Sequence, residues 1–531
     1  MSLSRILVAL ALAASGVAPA GAETAGSADK IRAHVTFLAD DLLQGREAGS
    51  PGHEIAAAYV ASQLRQLGVK PGAADGSYFQ HVPMSGFRPA DEGRLVITAK
   101  DGKAAPLVFG EDYLPGRNPV AARTEVTAPL VFAGYGVAAG KRDDYAGLDV
   151  KGKVVVVLAG APQSFQTEER AYYASGRTKR LTAEARGAVG LITITTPADE
   201  KRRPFANGVR QWKTWGMGWR TPGGQTFAPA SATPDLATLS VQGSTKLFAG
   251  APKSYDEVVK AAEAGTPPRF PLPFKLAATI NTELKTLDSL NVVGRIDGTD
   301  PALKNEAVVL SAHLDHIGVT PPINGDAINN GAMDNATGVA TTLEVARAFA
   351  EGKAPRRTLL FLLNTAEEKG LVGADYFARN PPTKLPIVAD VNLDMPILTY
   401  DFVDVVAFGA ERSSLGPTVA RAAARLGVKL SPDPLPEEGL FTRSDHFRFV
   451  EQGVPSVFLM TGFENGGQVA FTGFLRDRYH KPSDDLSQPI DYAAGAKFAA
   501  INYEIAREIA DADARPAWNK GDFFGTLFGK K

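Results

Sequence analysis

Between residues 311 and 394 the chain reads SAHLDH (311–316), GAMDNATG (331–338), NTAEEKG (364–370) and NLDM (392–395), and YHKPSDD (479–485) follows much later. Each fragment ends or follows an apolar run and carries His, Asp or Glu at its tip. Strand and helix textures alternate around them. Strands are expected at 307–312, 358–363, 387–393, 403–408 and 456–460, and helices at 337–350, 371–378, 415–426 and 492–510. In the first of these helices Val339, Leu343, Ala346 and Phe349 share one side. Such alternation predicts an α/β domain with a mostly parallel sheet flanked by helices. Ligands bind such sheets beyond the carboxyl ends of the strands, and His313, Glu367, Glu368 and Asp394 fall there.

Clustering these residue types is costly without a cation among them. His313 closes a buried strand, and Asp315 is placed to orient its second ring nitrogen. His316 next to it is expected to line the site or face solvent. Asp334 sits among small residues just before a helix, where it serves either as a helix cap or as a carboxylate between two cations. Glu367 and Glu368 can divide the labour, one holding a cation and the other accepting a proton from water. Asp394 ends the next apolar strand, and His480 stands in a turn-rich loop. Together they predict a site for two zinc ions about 3.5–4 Å apart; manganese and cobalt accept the same donor types. The sequon Asn335-Ala336-Thr337 is discounted so close to such a site.

The whole chain frames this reading. Its 531 residues call for two domains or more. A hydrophobic content of 44%, a charged content of 22% and a net charge of −1 describe an ordinary globular protein and give no support to nucleic-acid or anionic-membrane binding. There is no cysteine, so metal must be held by carboxylates and the seven histidines. Residues 1–22 resemble an export signal, with Arg5, a short apolar run and the small-x-small site Ala20-Gly21-Ala22. The mature chain is then periplasmic or extracellular, with no stable membrane insertion.

Two amphipathic helices (28–43 and 54–67) open the mature chain. An inserted β-rich module is expected at 118–265, dividing a catalytic domain into 28–117 and 266–515, with a tail at 516–531. In the module, GYGVAA (134–139) formally fits a dinucleotide fingerprint, but the turn-rich residues after it do not form the required helix. Trp212, Trp215 and Trp219 either pack a long loop or wall the mouth of the site.

The motifs SAHLDH, GAMDNATG, TAEEKG, NLDM and YHKPSDD, in that order, with GREAGSPGHEIAAAYVASQLRQLGV at 45–69, resemble the M28 family of zinc-dependent exopeptidases. PLVFAGYG, DYAGLDVKGKVVVV and GAVGLITI resemble a protease-associated (PA) domain. The resemblance implies one zinc on His313, Asp334 and Asp394 and a second on Asp334, Glu368 and His480, with Asp334 bridging. It implies Glu367 as general base, Asp315 behind His313, and a cis peptide at Asp334–Asn335. Where some relatives carry a Tyr that binds the oxyanion, Phe441 stands here, which leaves Arg443 or His446 as donors to the oxyanion or substrate, or a zinc alone to meet the oxyanion. The function implied is an exported aminopeptidase acting on peptides. The alternatives are a carboxypeptidase or acidic dipeptidase of the same fold, with Arg443 and the run Lys201-Arg202-Arg203 meeting a substrate carboxylate, or an inactive binding scaffold, which the complete ligand set disfavours.

Overall fold

The computed structural model describes residues 26–529; the expected export signal lies outside the described residues. Four strands form the parallel centre of the catalytic sheet, in the order Thr358–Asn364, Ala307–His313, Ile387–Leu393 and Ser456–Thr461. Their sequences, such as AVVLSAH and TLLFLLN, are apolar throughout because helices cover both faces and every residue of the first two is buried. Asp404–Phe408 joins antiparallel at one edge and is followed by Lys429–Ser431. The helix Thr337–Glu351 is buried from Thr337 to Phe349, beneath the helices Ala28–Leu38 and Tyr492–Asp511. Its interior threonines are tolerated because Thr337, Thr341 and Thr342 donate their hydroxyls to carbonyls one turn back.

One 28-residue strand, Arg269–Ile296, belongs to two sheets. Its second half pairs with Phe79–Pro89 and Thr358–Asn364 in the catalytic sheet. Its first half pairs with Arg94–Ala99 and Arg123–Ala133 in the module's sheet. That second sheet continues through parallel Val154–Leu158, Gly190–Ile194 and Asp235–Leu239, over its own buried core of Leu130, Phe132, Val156, Ile192 and Leu236.

This pairing corrects the expected module limits of 118–265. Strands Arg94–Ala99, Ala104–Pro106 and Tyr113–Pro115 precede residue 118 yet pair within the module's sheet. Conversely Gly216–Trp219, inside the expected module, pairs with Phe79–Pro89 of the catalytic sheet. Edge hydrogen bonds, invisible to composition, decide both assignments. The tryptophans form no wall over the site. Trp219 is buried, stacks on Phe227 at 4.2 Å and donates to Asp375 (2.7 Å), Trp212 packs on Phe109, and Arg88 lies over Trp215.

The C-terminal segment is structural. Its helix Phe523–Phe528 wedges Phe523, Phe524 and Phe528 between Tyr172 and Tyr173 of the module and Phe441 of the catalytic domain. Arg412 ties the same seam by pairing with Glu168 (2.6 Å) and Asp522 (3.0 Å). Among the described residues no helix is long and apolar enough to cross a membrane.

Leu276 is fully buried on the shared strand, in the module's core. Leu276→Ala is expected to destabilise the protein by about 2–5 kcal/mol, read as a lower denaturant midpoint with the module's signals leading the transition.

Candidate metal centre

His313, at the carboxyl end of its strand, places Nδ1 3.0 Å from the backbone carbonyl of Asp315. A carbonyl only accepts, so a proton sits on Nδ1 and Nε2 is the nitrogen that faces the carboxylates. That nitrogen lies 3.1 Å from Asp334 Oδ1 and 3.2 Å from Asp394 Oδ1. Three electron-pair donors converge on one point. On the other side of Asp334, Oδ2 lies 3.4 Å from His480 Nε2, which is 3.2 Å from Glu368 Oε2. Each oxygen of Asp334 therefore serves a different cluster, which is the arrangement a bridging carboxylate requires. His313, Asp334 and Asp394 offer donor atoms all within 4.8 Å of one another, and so do His316, Asp334 and Glu368. These donors fit two divalent cations of the zinc type.

The loop GAMDNATG builds this geometry. Gly331 has φ +61°, and a Cβ there would meet the Asp334 carbonyl at 2.3 Å and the His316 ring at 2.6 Å. A Cβ on Gly338 would strike Asn335 Oδ1 at 2.1 Å. The Asp334–Asn335 peptide is cis, as the resemblance implies. Asn335 is buried, donating to Leu393 O (2.9 Å) and accepting from Gly338 N (3.1 Å), so the sequon has no exposed amide.

Several side chains take places other than those expected. Asp315 orients His313 through its carbonyl, not its carboxylate, which stands 3.9 Å away. The carboxylate instead accepts from the Glu367 N–H (3.0 Å) and so positions the glutamate loop; burial raises it to about 6. His316 does not face solvent. It is fully buried with Nδ1 2.7 Å from Glu368 Oε1. His446 is buried against Phe441 and Phe458 and does not line the cavity. Phe441 likewise packs inward against Phe447 and Phe524. Arg443 does line the cavity, near Glu438 (3.4 Å).

Burial and the like charges of Glu368 and Asp445 raise Glu367 well above the usual carboxylate range. Burial pushes Glu368 the same way, yet His316 and His480 hold it down at about 2. Adjacent glutamates are thus set apart, one inclined to carry a proton and one to stay ionised.

Three supporting residues escaped sequence analysis. Arg46, buried in the GREAG loop, donates to the carbonyls of Leu314 (3.0 Å), Asn330 (2.5 Å) and Gly331 (3.1 Å) and also to Leu38, pinning both site loops. Asp484 accepts from the Met333 and Asp334 N–H groups (2.9 and 3.0 Å). Ser444 donates to Asp394 Oδ2 (2.7 Å) and accepts from Asn392 (2.7 Å). Position in the quoted motifs was the available signal for Arg46 and Asp484. Above the centre lies a cavity of about 240 Å³ with Asp334, Glu367, Asp394 and His480 at its floor and an apolar wall of Met395, Leu440, Phe458, Met460, Phe471 and Leu475. Tyr479, its ring stacked on His480 at 3.7 Å, also faces it.

Residues 291–506 match the model of peptidase family M28, and residues 126–216 match the PA domain. The chain is 30% identical over 247 residues to leupeptin-inactivating enzyme 1 of Streptomyces exfoliatus, covering 43% of this chain and 52% of that one. It is 25% identical over 517 residues to the probable lipoprotein aminopeptidase LpqL of Mycobacterium tuberculosis, covering 90% and 84%. The chain spans about half the length of the first curated relatives it matches. Its fold is similar to that of the aminopeptidase from Aneurinibacillus sp. strain AM-1, with a TM-score of 0.53 at 21% identity over 93% of this chain and 97% of the other.

Asp484→Asn replaces one of the two oxygens that hold the Asp334 loop with an amide donor facing an N–H. It is expected to weaken metal affinity about 10–100-fold with little change in unfolding temperature of the metal-free protein, measured by competition with a chromogenic chelator.

Proposed function

We propose that the chain, whose residues 291–506 match peptidase family M28 and residues 126–216 a PA domain, is an exported aminopeptidase using two zinc ions to remove N-terminal residues from peptides. The observation that carries this reading is the cavity itself. At about 240 Å³ it falls below the ~300–1,000 Å³ of a site for a drug-sized ligand, so it suits the end of a chain better than its middle. Glu367, the floor carboxylate left outside the proposed cation ligands, can accept from an ammonium terminus and would repel a carboxylate one, which supports an aminopeptidase over a carboxypeptidase. The apolar wall suits an apolar terminal side chain such as Leu or Met. The signal-like residues 1–22 support export.

One cation would be held by His313, Asp334 and Asp394 and the other by Asp334, Glu368 and His480. Zinc bound there would lower the pKa of water and polarise a peptide carbonyl. Glu367, whose carboxyl pKa is raised by burial above the usual carboxylate range, accepts the proton of the attacking water and delivers it to the departing amine. Asp315 accepts from the Glu367 N–H, which fixes the backbone from which the base projects. Tyr479 and Arg443 are the donors facing the cavity that can meet a developing oxyanion.

Metal analysis of the mature protein, paired with hydrolysis of free-amine aminoacyl anilides and N-blocked peptides, tests the reading. About two zincs per chain and chelator-sensitive release from free-amine substrates alone are expected; cleavage of N-blocked peptides would overturn the aminopeptidase assignment in favour of a carboxypeptidase. Glu367→Gln is expected to keep both metals and lose about 10²–10⁴-fold of the rate. Wild-type turnover by that variant would remove Glu367 from the mechanism.

A further inference from the structure

Among the described residues Arg203 is the one cavity-lining residue that comes from the inserted module, and the chemistry proposed above gives it no task. It caps the short helix Pro197–Arg202. Both ends of this corner are anchored. Thr196 and Asp199 close a reciprocal cap at the helix start, and the Glu200 carboxylate accepts from the Phe205 N–H (3.1 Å) just beyond. Its neighbour Arg202 is engaged by Asp199 at 2.8 Å. Arg203 is exposed and has no ion pair among the described residues. Across the cavity Arg443 is partnered only loosely, 3.4 Å from Glu438. The rim therefore carries two guanidinium groups against one carboxylate, while the floor is rich in carboxylates. A peptide entering amine-first finds Glu367 for its ammonium end and a cationic rim for whatever follows.

We propose that Arg203 is a specificity-determining residue that reads a carboxylate on the leaving-group side of the scissile bond, so that the inserted module selects short peptides with a free C-terminus. This rests on the aminopeptidase reading above. Guanidinium is suited to the task because its planar fork grips a carboxylate through two parallel hydrogen bonds. The small cavity keeps the rim close to the metal centre, so the carboxylate it reads belongs to a residue near the cleaved bond. The same chemistry could come from an Asp or Glu side chain, and the substrates below separate the two sources.

The test compares kcat/KM of the zinc-loaded enzyme on Leu-Gly-Gly, Leu-Gly-Gly-amide and Leu-Asp-Gly-amide. The wild type is expected to prefer the free acid over the amide about 10-fold, chiefly through KM, with the preference shrinking as salt is raised. Arg203→Ala is expected to bring that ratio to about one, Arg203→Lys to restore part of it, and Arg203→Glu to invert it. Lys201→Ala, on the same helix but outside the cavity, should keep the wild-type ratio. A ratio lost instead between Leu-Asp-Gly-amide and Leu-Gly-Gly-amide would assign the carboxylate to a side chain and overturn the selection of a free C-terminus. Equal ratios in wild type and Arg203→Ala across both comparisons would overturn it. That result leaves the aminopeptidase reading standing, whereas absence of wild-type turnover on all three free-amine substrates would sink that reading and this proposal with it.

Discussion

Like-charge repulsion at the end of one sheet governs this molecule. Carboxylates of Asp334, Asp394 and Glu368 are gathered with donor atoms within 4.8 Å in each cluster. At the effective dielectric of a protein interior each such pair repels by about 3 kcal/mol. The surroundings relieve only part of this. Arg46 brings a buried positive charge beneath the loops, itself drawn down to about 10 by burial despite the acids around it. The three histidines face the carboxylates with lone pairs that repel as well unless a proton or a cation stands between. On the proposed reading, divalent cations would resolve the conflict in a way that protons do not, because each would satisfy several donors at once and Glu367 would stay outside their ligands.

That constraint explains why the surrounding loops are so firmly tied. Asp334 is held through its backbone by Asp484 from a segment 150 residues away in sequence. Asp394 is held by Ser444, His313 by a carbonyl, and Glu367 by Asp315. A set of donors gathered from five separate segments needs such supports, since a small shift in any one would unbalance the shared charges. The parallel strands supply the common frame, and their completely buried sequences make register errors costly.

The inserted module is joined to this frame by more than a hinge. The strand Arg269–Ile296 runs through both sheets, Arg412 pairs with Glu168 of the module, and the C-terminal phenylalanines pack between Tyr172 and Phe441. Three independent contacts of different type resist relative motion, so the corner carrying Arg203 has a defined position over the cavity.

The central alternation of apolar strands and amphipathic helices was legible from the chain alone, because burial on both faces forces continuous apolar runs and helical spacing records one-sided packing. The donor types and their placement at strand ends were legible for the same reason: few folds tolerate Glu-Glu after a buried strand without a use for it. The module's edges were not, since a strand such as Gly216–Trp219 chooses its sheet by hydrogen bonds to Phe79–Pro89 that no local pattern encodes. Nor were the fates of neighbours. Sequence proximity made His446 and Phe441 look like parts of the site, yet both turn into the core, while Arg46, some 270 residues before His313, lies beneath it. Sequence by itself determined which chemistry the chain can support, because residue type and periodicity are local properties. Only the tertiary structure decided which of those residues meet, which nitrogen or oxygen each presents, and that the inserted module lends an arginine to the cavity, because those facts depend on distances between segments the chain brings together only on folding.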